Sequence, residues 1–575
     1  MSATPNFAQI LLTQMYRFPV FLGAIVLALS GLPGLVSGQS VGSCEPAMGE
    51  GMLEVNNVRA RILNNGGQFW RGSPHVYEVP KGGVANAIFA SGIWLGGTID
   101  GALHFAGSTY GPYEFWAGPL PDDGSPPVNC QRWDRVWSVT LDEVEVYERF
   151  GVVTADLVDW PTGLGAPTLD RFGAPINLLG LPLSLRADRK IDLESGERPD
   201  ITGDQMLWWI MNDRGGPHER SQSAPLGVEI HGSAFAFSSA GALGNTTFYR
   251  LRISKPTGAP LEDAYLGLFQ DPDMGNFADD FVGSDSMLSM GYVYNADNND
   301  EGGEGYGQAP PAVGTDLFQG PRIAADGRDN DRDGVIDEAG ERMSLTAFMH
   351  YTGGGGLRGD PISGAEMYNY TRGRWKNGQP QVWGGYGWDY STELASFAFP
   401  GDPPAAWSEF NRGDGTSNSP SDRRFVASTG PFRIVPGEPQ EIVYGIVTSF
   451  GEDNLDSVQK LKRDDAFIQN LVDEGLFERP APTLVAPEKF ELAASVYPVP
   501  AADQLTIRYS LPQEMAVSIR VFDALGRLRT TAVQSMRAAG DYTTAIDVSD
   551  WRPGAYLARI QMDHHVASRR IVVSR

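Results

Sequence analysis

The sequence has few of the residues from which most metal and redox sites are built. It contains two cysteines and seven histidines among 575 residues, so a cysteine-rich zinc site and a redox Cys-x-x-Cys pair are excluded by number. It also lacks a His-Glu-x-x-His pair and a phosphate-binding Gly-x4-Gly-Lys-Ser/Thr loop. The enzyme classes that are marked by these short motifs are therefore disfavoured.

Positive charge is scarce as well. Seven lysines and 38 arginines face 71 acidic residues, which leaves a formal net charge of −26. General nucleic-acid binders and proteins of anionic membrane surfaces need basic patches, so the composition argues against both. An acidic, lysine-poor surface suits a saline or calcium-rich exterior.

Only one long apolar run occurs, at residues 18–36. Small residues at 36–38 precede Gln39, as a signal-peptidase site requires, and residues 1–38 are predicted to be a secretory signal peptide. A retained membrane anchor is the alternative, but Pro and Gly interrupt the run and no basic cluster follows it. The sequence predicts export and no transmembrane segment in the mature chain.

Glycine and proline are abundant, at 69 and 40 residues, and short apolar segments alternate with turn residues from about 45 to 450. This pattern predicts a mainly β fold: a multi-domain body of β-sandwich or jelly-roll type at 45–476, in one or two subdomains. One helix is expected at 455–474, where Val458, Leu461, Ile468 and Val472 share a face.

The end of the chain has a different pattern. A Pro-rich segment at 477–491 is predicted to be a linker. Beyond it, residues 492–575 alternate between apolar and polar side chains, for example at 504–509 and 517–522. Such alternation predicts a small antiparallel β-sandwich.

Four motifs in this last segment are found in the order and spacing of a known family. They are Tyr-Pro-Val-Pro-Ala at 497–501, Phe-Asp-Ala-Leu-Gly-Arg at 522–527, Trp-Arg-Pro-Gly-Ala-Tyr at 551–556 and a basic, apolar, basic tail at 569–575. The segment resembles the C-terminal sorting domain of type IX secretion cargo. The matching motif residues are Tyr497, Pro498, Pro500, Gly526, Gly554 and Tyr556, while Val499 replaces the usual Asn.

That resemblance implies a route and partners. The type IX translocon would recognise residues 492–575, and the protein would cross the periplasm and then the outer membrane. Removal of the sorting domain and attachment to surface polysaccharide are implied as well. The expected location is the outer cell surface or the medium.

The body is similar to large, uncharacterised surface proteins that carry the same sorting domain. The matching segments include Asn-Asn-Val-Arg-Ala at 56–60, Ile-Trp-Leu-Gly-Gly at 93–97, Gly-Asp-Gln-Met-Leu-Trp at 203–208, Asp-Pro-Asp-Met-Gly at 271–275 and Ser-Asp-Arg-Arg-Phe at 421–425. This resemblance implies location and architecture but identifies no catalytic residue.

The two cysteines, Cys44 and Cys130, are candidates for one disulfide, because an exported protein passes through oxidising compartments. Such a bond would close a long loop and stabilise the fold by about 4 kcal/mol on the chain-entropy model. Two free thiols that never approach each other are the alternative, and the sequence leaves both readings open.

The most specific local signal is an acidic loop at 326–338. Its candidate calcium ligands are Asp329, Asp331, Asp333, the Val335 carbonyl, Asp337 and Glu338. Alternate acids followed by a turn glycine, here Gly334, direct oxygens inward, and Ca²⁺ takes six to eight oxygens. The pattern resembles thrombospondin-type and dockerin-type calcium loops. A solvated acidic turn is the alternative.

A second acidic cluster is looser, and its candidate ligands are Asp271, Asp273, Asp279 and Asp280. If these carboxylates pack together, their mutual repulsion would favour a bound cation. A solvated acidic surface is the alternative. Structural Ca²⁺ is therefore the one cofactor that the sequence predicts.

The function stays open between two hypotheses. The first is a calcium-stabilised, non-enzymatic surface protein with an adhesive, structural or glycan-binding role. The second is a secreted polysaccharide hydrolase that uses a carboxylate pair, which the sequence does not identify. Trp375, Trp383, Trp388 and Trp407 are candidates to line a glycan groove or, alternatively, to cap the core. Asp422, before Arg423 and Arg424, is expected to form an ion pair rather than act as a catalytic acid.

Overall fold

The structure is a computed structural model that describes residues 41–323, 329, 336, 340–404, 407–478, 494–511, 515–524, 527–562 and 565–574. The strands of the body are β1 (Glu50–Leu53), β2 (Arg59–Leu63), β3 (Gly67–Gln68), β4 (Tyr77–Glu78), β5 (Ala90–Ile99), β6 (Ala102–Gly107), β7 (Trp116–Ala117), β8 (Trp137–Thr140), β9 (Thr168–Leu169), β10 (Arg198–Pro199), β11 (Gln205–Asn212), β12 (Glu229–Ala236), β13 (Thr246–Ser254), β14 (Leu261–Asp271), β15 (Asp280–Asp285), β16 (Met290–Asn295), β17 (Asn299–Asp300), β18 (Gly307–Gln308), β19 (Ala312–Gln319), β20 (Ala347–Thr352), β21 (Arg423–Ile434) and β22 (Gln440–Ser449). The helices are α1 (Leu141–Phe150), α2 (Ala155–Val158), α3 (Leu183–Arg186), α4 (Gly364–Thr371) and α5 (Asn454–Asp473).

Two nine-stranded antiparallel sheets make up most of the body. Sheet 1 has the order β1-β2-β3-β5-β14-β21-β20, with β4 paired to β2 and β6 to β5. Sheet 2 has the order β15-β16-β19-β22-β13-β12-β11-β7, with β8 paired to β11. The main hydrophobic core lies between the sheets and draws on both, for example Leu95 and Leu266 from sheet 1 and Trp209, Tyr249 and Ile446 from sheet 2. The body is therefore a sandwich.

The outer faces of both sheets are covered too. On sheet 2, α5 packs Val458, Leu461 and Ile468 into a second core. On sheet 1, α4 contributes Met367 and Tyr370 to a smaller aromatic core. Because inner strands are thus buried on both faces, β11 and β12 have no exposed residue. β11 has a continuous apolar run at 206–211, whereas β12 alternates the buried polar residues Glu229, His231 and Ser233 with apolar or small ones.

The expected mainly β fold is confirmed, and α5 lies within one residue of the predicted helix. The sequence reading did not anticipate α1 or α4. The start of α1 is fixed by a capping box: Thr140 Oγ1 accepts a hydrogen bond from the Glu143 amide at 3.2 Å, and Glu143 Oε2 accepts one from the Thr140 amide at 2.8 Å. At α4, Ser363 Oγ caps the Glu366 amide in the same way.

The C-terminal region forms its own sandwich with its own core. Its strands are β23 (Ala494–Tyr497), β24 (Gln504–Leu511), β25 (Met515–Asp523), β26 (Leu528–Arg537), β27 (Gly540–Asp547), β28 (Gly554–Met562) and β29 (His565–Val573). They form two sheets of order β23-β24-β27 and β26-β25-β28-β29. The antiparallel sandwich that the sequence predicts for this region is present.

Residues of the predicted sorting motifs lie at the ends of these strands. Tyr497 ends β23, and Pro498 and Pro500 follow it. Gly554 begins β28, and the Tyr556 hydroxyl donates a hydrogen bond to the Arg552 carbonyl at 2.8 Å. Gly526 lies outside the described residues.

This C-terminal sandwich contacts the body through a buried charge cluster. Arg559 of β28, which is 3% exposed, forms a salt bridge with Asp142 of α1. Its guanidinium also lies 3.7 Å from Glu145 and 3.9 Å from Asp204, and Arg520 lies 3.8 Å from Asp142. Two arginines of the C-terminal sandwich thus face three acids of the body.

A disulfide joins Cys44 and Cys130, whose Cα atoms are 5.6 Å apart. It ties the first described residues of the chain to the loop before β8. The predicted signal peptide and the predicted linker beyond residue 478 lie outside the described residues, so the domain boundaries at 38, 477 and 491 stay predictions.

Candidate functional site

Strand pairing brings two distant acidic segments to one edge of sheet 1. This edge is formed by the adjoining ends of β14, β20 and β21 and not by the side of an outer strand. The end of β14 meets the start of β21, because Gln270 pairs with Phe425 in antiparallel register. The end of β20 reaches the same edge, where Thr352 pairs with Arg423. Residues 271–273, 352–360 and 419–424 are therefore neighbours although the sequence separates them widely.

Three carboxylates meet at this edge, and we call Asp271, Asp273 and Asp422 the acidic triad. Each offers one oxygen, and these three oxygens lie within 4.8 Å of one another. Asp271 is buried, at 1% exposure, while Asp273 and Asp422 are half-buried. The triad is thus a ready set of hard oxygen donors for a cation such as Ca²⁺.

Two neighbouring side chains hold the triad in place. The Tyr110 hydroxyl donates a hydrogen bond to Asp271 Oδ2 at 2.6 Å. Arg424 forms a salt bridge with Asp422 Oδ1 at 2.8 Å, and its Nε donates to the Tyr110 oxygen at 2.7 Å. Asp271 Oδ1 and Asp273 Oδ1 accept no hydrogen bond from the described residues. One guanidinium therefore neutralises only part of the charge of three acids.

Two acids of the triad, Asp271 and Asp273, hold protons more tightly than free aspartates do. Burial, and then the neighbouring Asp273 carboxylate, raise the pKa of Asp271 well above its usual range. Burial and the Asp422 carboxylate raise the pKa of Asp273 to about 6. The cluster is electrostatically unfavourable when all of its acids are ionised, which is the condition that a cation relieves.

The other two predicted ligands of this region, Asp279 and Asp280, lie beside the triad rather than in it. Asp280 is fully buried and accepts a hydrogen bond from the Met274 amide at 3.0 Å. Burial raises the pKa of Asp279 to about 6 and that of Asp280 well above its usual range. Neither of the two Asp279 oxygens accepts a hydrogen bond from the described residues.

Asp300 anchors the loop that carries these acids. Its carboxylate accepts hydrogen bonds from the Asn276 amide at 3.0 Å and the Tyr306 amide at 2.7 Å. Gly275 makes this close approach possible: it has φ +65°, and a Cβ there would lie 2.0 Å from Asp300 Oδ2. No local sequence pattern predicts this anchoring role of Asp300.

Most of the predicted calcium loop is not described. Asp331, Asp333, Val335, Asp337 and Glu338 lie outside the described residues, and of the candidate ligands only Asp329 lies within them. Calcium binding by this loop therefore stays a prediction.

A groove of about 780 Å³ lies next to the triad, at the same edge of sheet 1. We call it the aromatic groove. Its lining residues include Arg358, Tyr386, Trp388, Asp389, Arg412 and Arg423. Arg358 and Arg412 place two positive charges in the groove against the one lining acid, Asp389, since the charge of Arg423 is matched by Glu409.

The ring of Tyr386 is the central feature of the aromatic groove. The Arg358 guanidinium carbon lies 5.0 Å from the ring centroid and that of Arg412 lies 5.1 Å from it, within the range of cation–π contacts. Neither guanidinium forms a salt bridge with any residue that the structure describes. Arg412 Nε also donates no hydrogen bond within that part of the chain.

Buried charged and aromatic groups support the groove from below. Arg423 is paired with Glu409 through two contacts, Nε to Oε1 at 2.8 Å and Nη2 to Oε2 at 3.1 Å. His350 Nε2 donates to the Tyr386 carbonyl at 3.0 Å, which fixes the backbone of the ring-bearing loop. Burial lowers the pKa of His350 to about 4, so the imidazole is neutral at physiological pH.

The tryptophans of the sequence analysis divide between core and groove. Trp375 and Trp407 are fully buried, so for these two the core-capping reading holds. Trp383 packs partly buried against the main core. Trp388 lines the aromatic groove, with its ring 5.9 Å from that of Trp375. Tyr386 was not singled out, because it is one of several aromatic residues in a Gly-rich loop and no local pattern separates it from the others.

One comparison with known proteins identifies a part of the chain. Residues 495–574 match the secretion system C-terminal sorting domain. No curated protein sequence matches the chain significantly. Among solved structures, a polysaccharide lyase is similar at 8% identity with a TM-score of 0.17, over 60% of this chain and 34% of the lyase. The chain thus spans about a third of that structure's length, and so low a TM-score supports no functional argument.

The chain therefore carries a type IX secretion C-terminal sorting domain, as its motifs predict. This domain implies export through the type IX system to the cell surface or the medium. Among the described residues, no helix is long and apolar enough to cross a bilayer. The likeness of the body to uncharacterised surface proteins stays a prediction.

Proposed function

We propose that the body is a calcium-stabilised, glycan-binding protein of the cell surface that type IX secretion delivers. The observation that carries the glycan-binding part is the aromatic groove, where Trp388 and Tyr386 line the same cavity and the guanidiniums of Arg358 and Arg412 lie 5.0 and 5.1 Å from the Tyr386 ring. Aromatic rings pack against the apolar faces of sugar rings, and arginine forks donate hydrogen bonds to sugar oxygens.

Calcium binding is proposed for the acidic triad. Carboxylates at the adjoining ends of two paired strands, β14 and β21, converge on one point. Two of their oxygens lack hydrogen-bond donors among the described residues. Because β14 and β21 supply the ligands, a bound cation would link two strands of sheet 1 and act mainly on stability. The acidic loop at 329–338 is a second proposed site, on its sequence alone.

Binding of polysaccharides to the purified chain tests the glycan proposal. Trp388→Ala is expected to weaken binding of a recognised glycan at least tenfold, because it removes a ring from the groove. Phe172→Ala is the control for loss of an aromatic side chain, because Phe172 lies outside the groove; it is 77% exposed, whereas Trp388 is half-buried. If no polysaccharide binds, or both variants bind like the parent protein, the glycan-binding role is wrong.

The same assay separates binding from catalysis. A binding protein leaves the polysaccharide intact over long incubation. New reducing ends in the sample would instead support the alternative of a polysaccharide hydrolase that uses a carboxylate pair.

A further inference from the structure

We propose that the aromatic groove selects polysaccharides that carry anionic groups, the carboxylates of uronic acids or sulfate esters. This inference rests on the proposed glycan-binding function and names the class of glycan. It is carried by the charges of Arg358 and Arg412, neither of which forms a salt bridge with a residue that the structure describes, although the exposed Asp414 carboxylate interacts electrostatically with Arg412.

The guanidiniums of Arg358 and Arg412 differ from those of the neighbouring arginines in whether an acid neutralises their charge. Arg423 is paired with Glu409, and Arg424 is paired with Asp422. Arg358 and Arg412 form no salt bridge with a described residue, although the chain has 71 acids for 45 basic residues. Both keep their charge at any physiological pH, since arginine does not deprotonate in proteins. The groove therefore holds two positive charges that an anionic ligand can pair with.

The arrangement of the two arginines near Tyr386 suits an anionic group that is carried by a sugar ring. The guanidinium carbons of Arg358 and Arg412 lie 5.0 and 5.1 Å from the centroid of one ring, that of Tyr386. A sugar in the groove can contact an aromatic ring while a substituent on the sugar reaches a guanidinium fork, which matches the two oxygens of a carboxylate or sulfate. A neutral sugar would leave both charges unpaired.

The surroundings strengthen the selectivity. The chain as a whole is acidic, with a net charge of −26. Among the residues that line the groove, Asp389 is the one acid. An anionic polymer is repelled from most of such a surface. Binding is therefore confined to the groove and is expected to weaken as salt screens the charges.

The experiment compares three polysaccharides on the full-length chain: polygalacturonate, dextran sulfate and neutral dextran. We expect tight binding of at least one anionic polymer and at least tenfold weaker binding of dextran. The double variant Arg358→Gln/Arg412→Gln is expected to lose the preference, while Arg358→Lys/Arg412→Lys keeps part of it. Arg171→Gln is the matched control, because Arg171 is an exposed arginine stacked on an aromatic ring elsewhere.

The outcomes are distinguishable. Preference for polygalacturonate identifies the carboxylate as the recognised group, and preference for dextran sulfate identifies the sulfate ester. Equal binding of dextran, or an unchanged affinity of the Gln double variant, overturns the anionic class but leaves the glycan proposal standing. No binding of any of the three, together with a Trp388→Ala variant indistinguishable from the parent on a wider glycan panel, overturns both. Thermal melts of each variant show that the fold is kept.

Discussion

Asp142 and Arg559 form a salt bridge across 417 residues of sequence, and it joins the body to the sorting domain. Both side chains are buried, with 9% and 3% of their surfaces exposed. Glu145 and Asp204 of the body, and Arg520 of the sorting domain, complete the cluster. While the body and the sorting domain are in contact, each shields charged side chains of the other from solvent.

Arg559→Gln is expected to loosen this contact. It leaves Asp142 and Asp204 buried with only Arg520 nearby, and loss of one partner from a buried ion pair costs about 3–5 kcal/mol. Hydrogen exchange should then rise in α1 and β28 without unfolding of either core. Arg527→Gln removes an exposed ion pair with Asp523 in the same domain and serves as the control. Unchanged hydrogen exchange in α1 and β28 would show that the charge cluster does not hold the body and the sorting domain together.

Chelation of calcium is expected to lower the melting temperature of the body. A cation present at one hundred times its dissociation constant stabilises the folded state by about 2.7 kcal/mol, and removal reverses this. Asp271→Asn/Asp422→Asn should reduce the dependence on calcium by removing two donors of the triad. Asp331→Asn/Asp333→Asn tests the acidic loop separately. A melt that is the same in calcium and in excess chelator contradicts the calcium proposal.

Asp316 of β19 and Asp465 of α5 form a second buried acidic pair, 0% and 1% exposed, whose carboxylates accept no hydrogen bond from described side chains. Burial, and then the Asp465 carboxylate, raise the pKa of Asp316 well above its usual range, and burial raises the pKa of Asp465 likewise. Above about pH 4 the folded state therefore holds protons that the unfolded state has released, so stability falls as pH rises.

Asp316→Asn is expected to stabilise the body by about 1–3 kcal/mol at pH 8, because it replaces a buried acid with a neutral group that can pair with Asp465. At pH 4 the gain should vanish, since both carboxyls are then protonated in the folded state. Melting curves at the two pH values measure this. Asp473→Asn changes an exposed acid on the same helix and should have little effect at either pH. An equal change at pH 4 and pH 8 contradicts the prediction.

Gly275→Ala is expected to destabilise the body by about 2–3 kcal/mol, since it adds a Cβ at positive φ that meets the Asp300 carboxylate. Denaturant unfolding gives the value. Gly303→Ala lies in the same region, and a Cβ there meets nothing within 4 Å, so it should be nearly neutral. If the two variants unfold alike, the approach of Gly275 to Asp300 does not constrain the loop.

The sequence predicted the elements that repeat a pattern locally. The bounds of α5 followed from apolar spacing, and the β-rich body followed from short apolar runs between turn residues. The start of α1 could have been predicted, because Thr140 and Glu143 form the sequence pattern of a capping box. The helix itself was not predicted, because its apolar face is too short to show a helical period. Local signals thus suffice for long elements and fail for short ones.

The candidate sites were predicted only in part, because they depend on strand pairing. Asp271 and Asp273 are close in sequence and were recognised as one cluster. Asp422 joins them through the register of β14 and β21, which no local pattern reveals. The ion pair between Asp422 and Arg424 was expected from adjacency alone, and it is present. The aromatic groove depends in the same way on the pairing of β20 with β21.

The position of β21 and β22 in the sheets determines when the body can fold. Sheet 1 places β21 between β14 and β20, and sheet 2 places β22 between β19 and β13, so both are interior strands. They are also the last two strands of the body, at residues 423–449. A chain that has emerged only as far as residue 422 lacks an interior strand in each sheet and leaves edges of both unpaired. The body therefore reaches its native pairing late, through contacts of high sequence separation that form slowly.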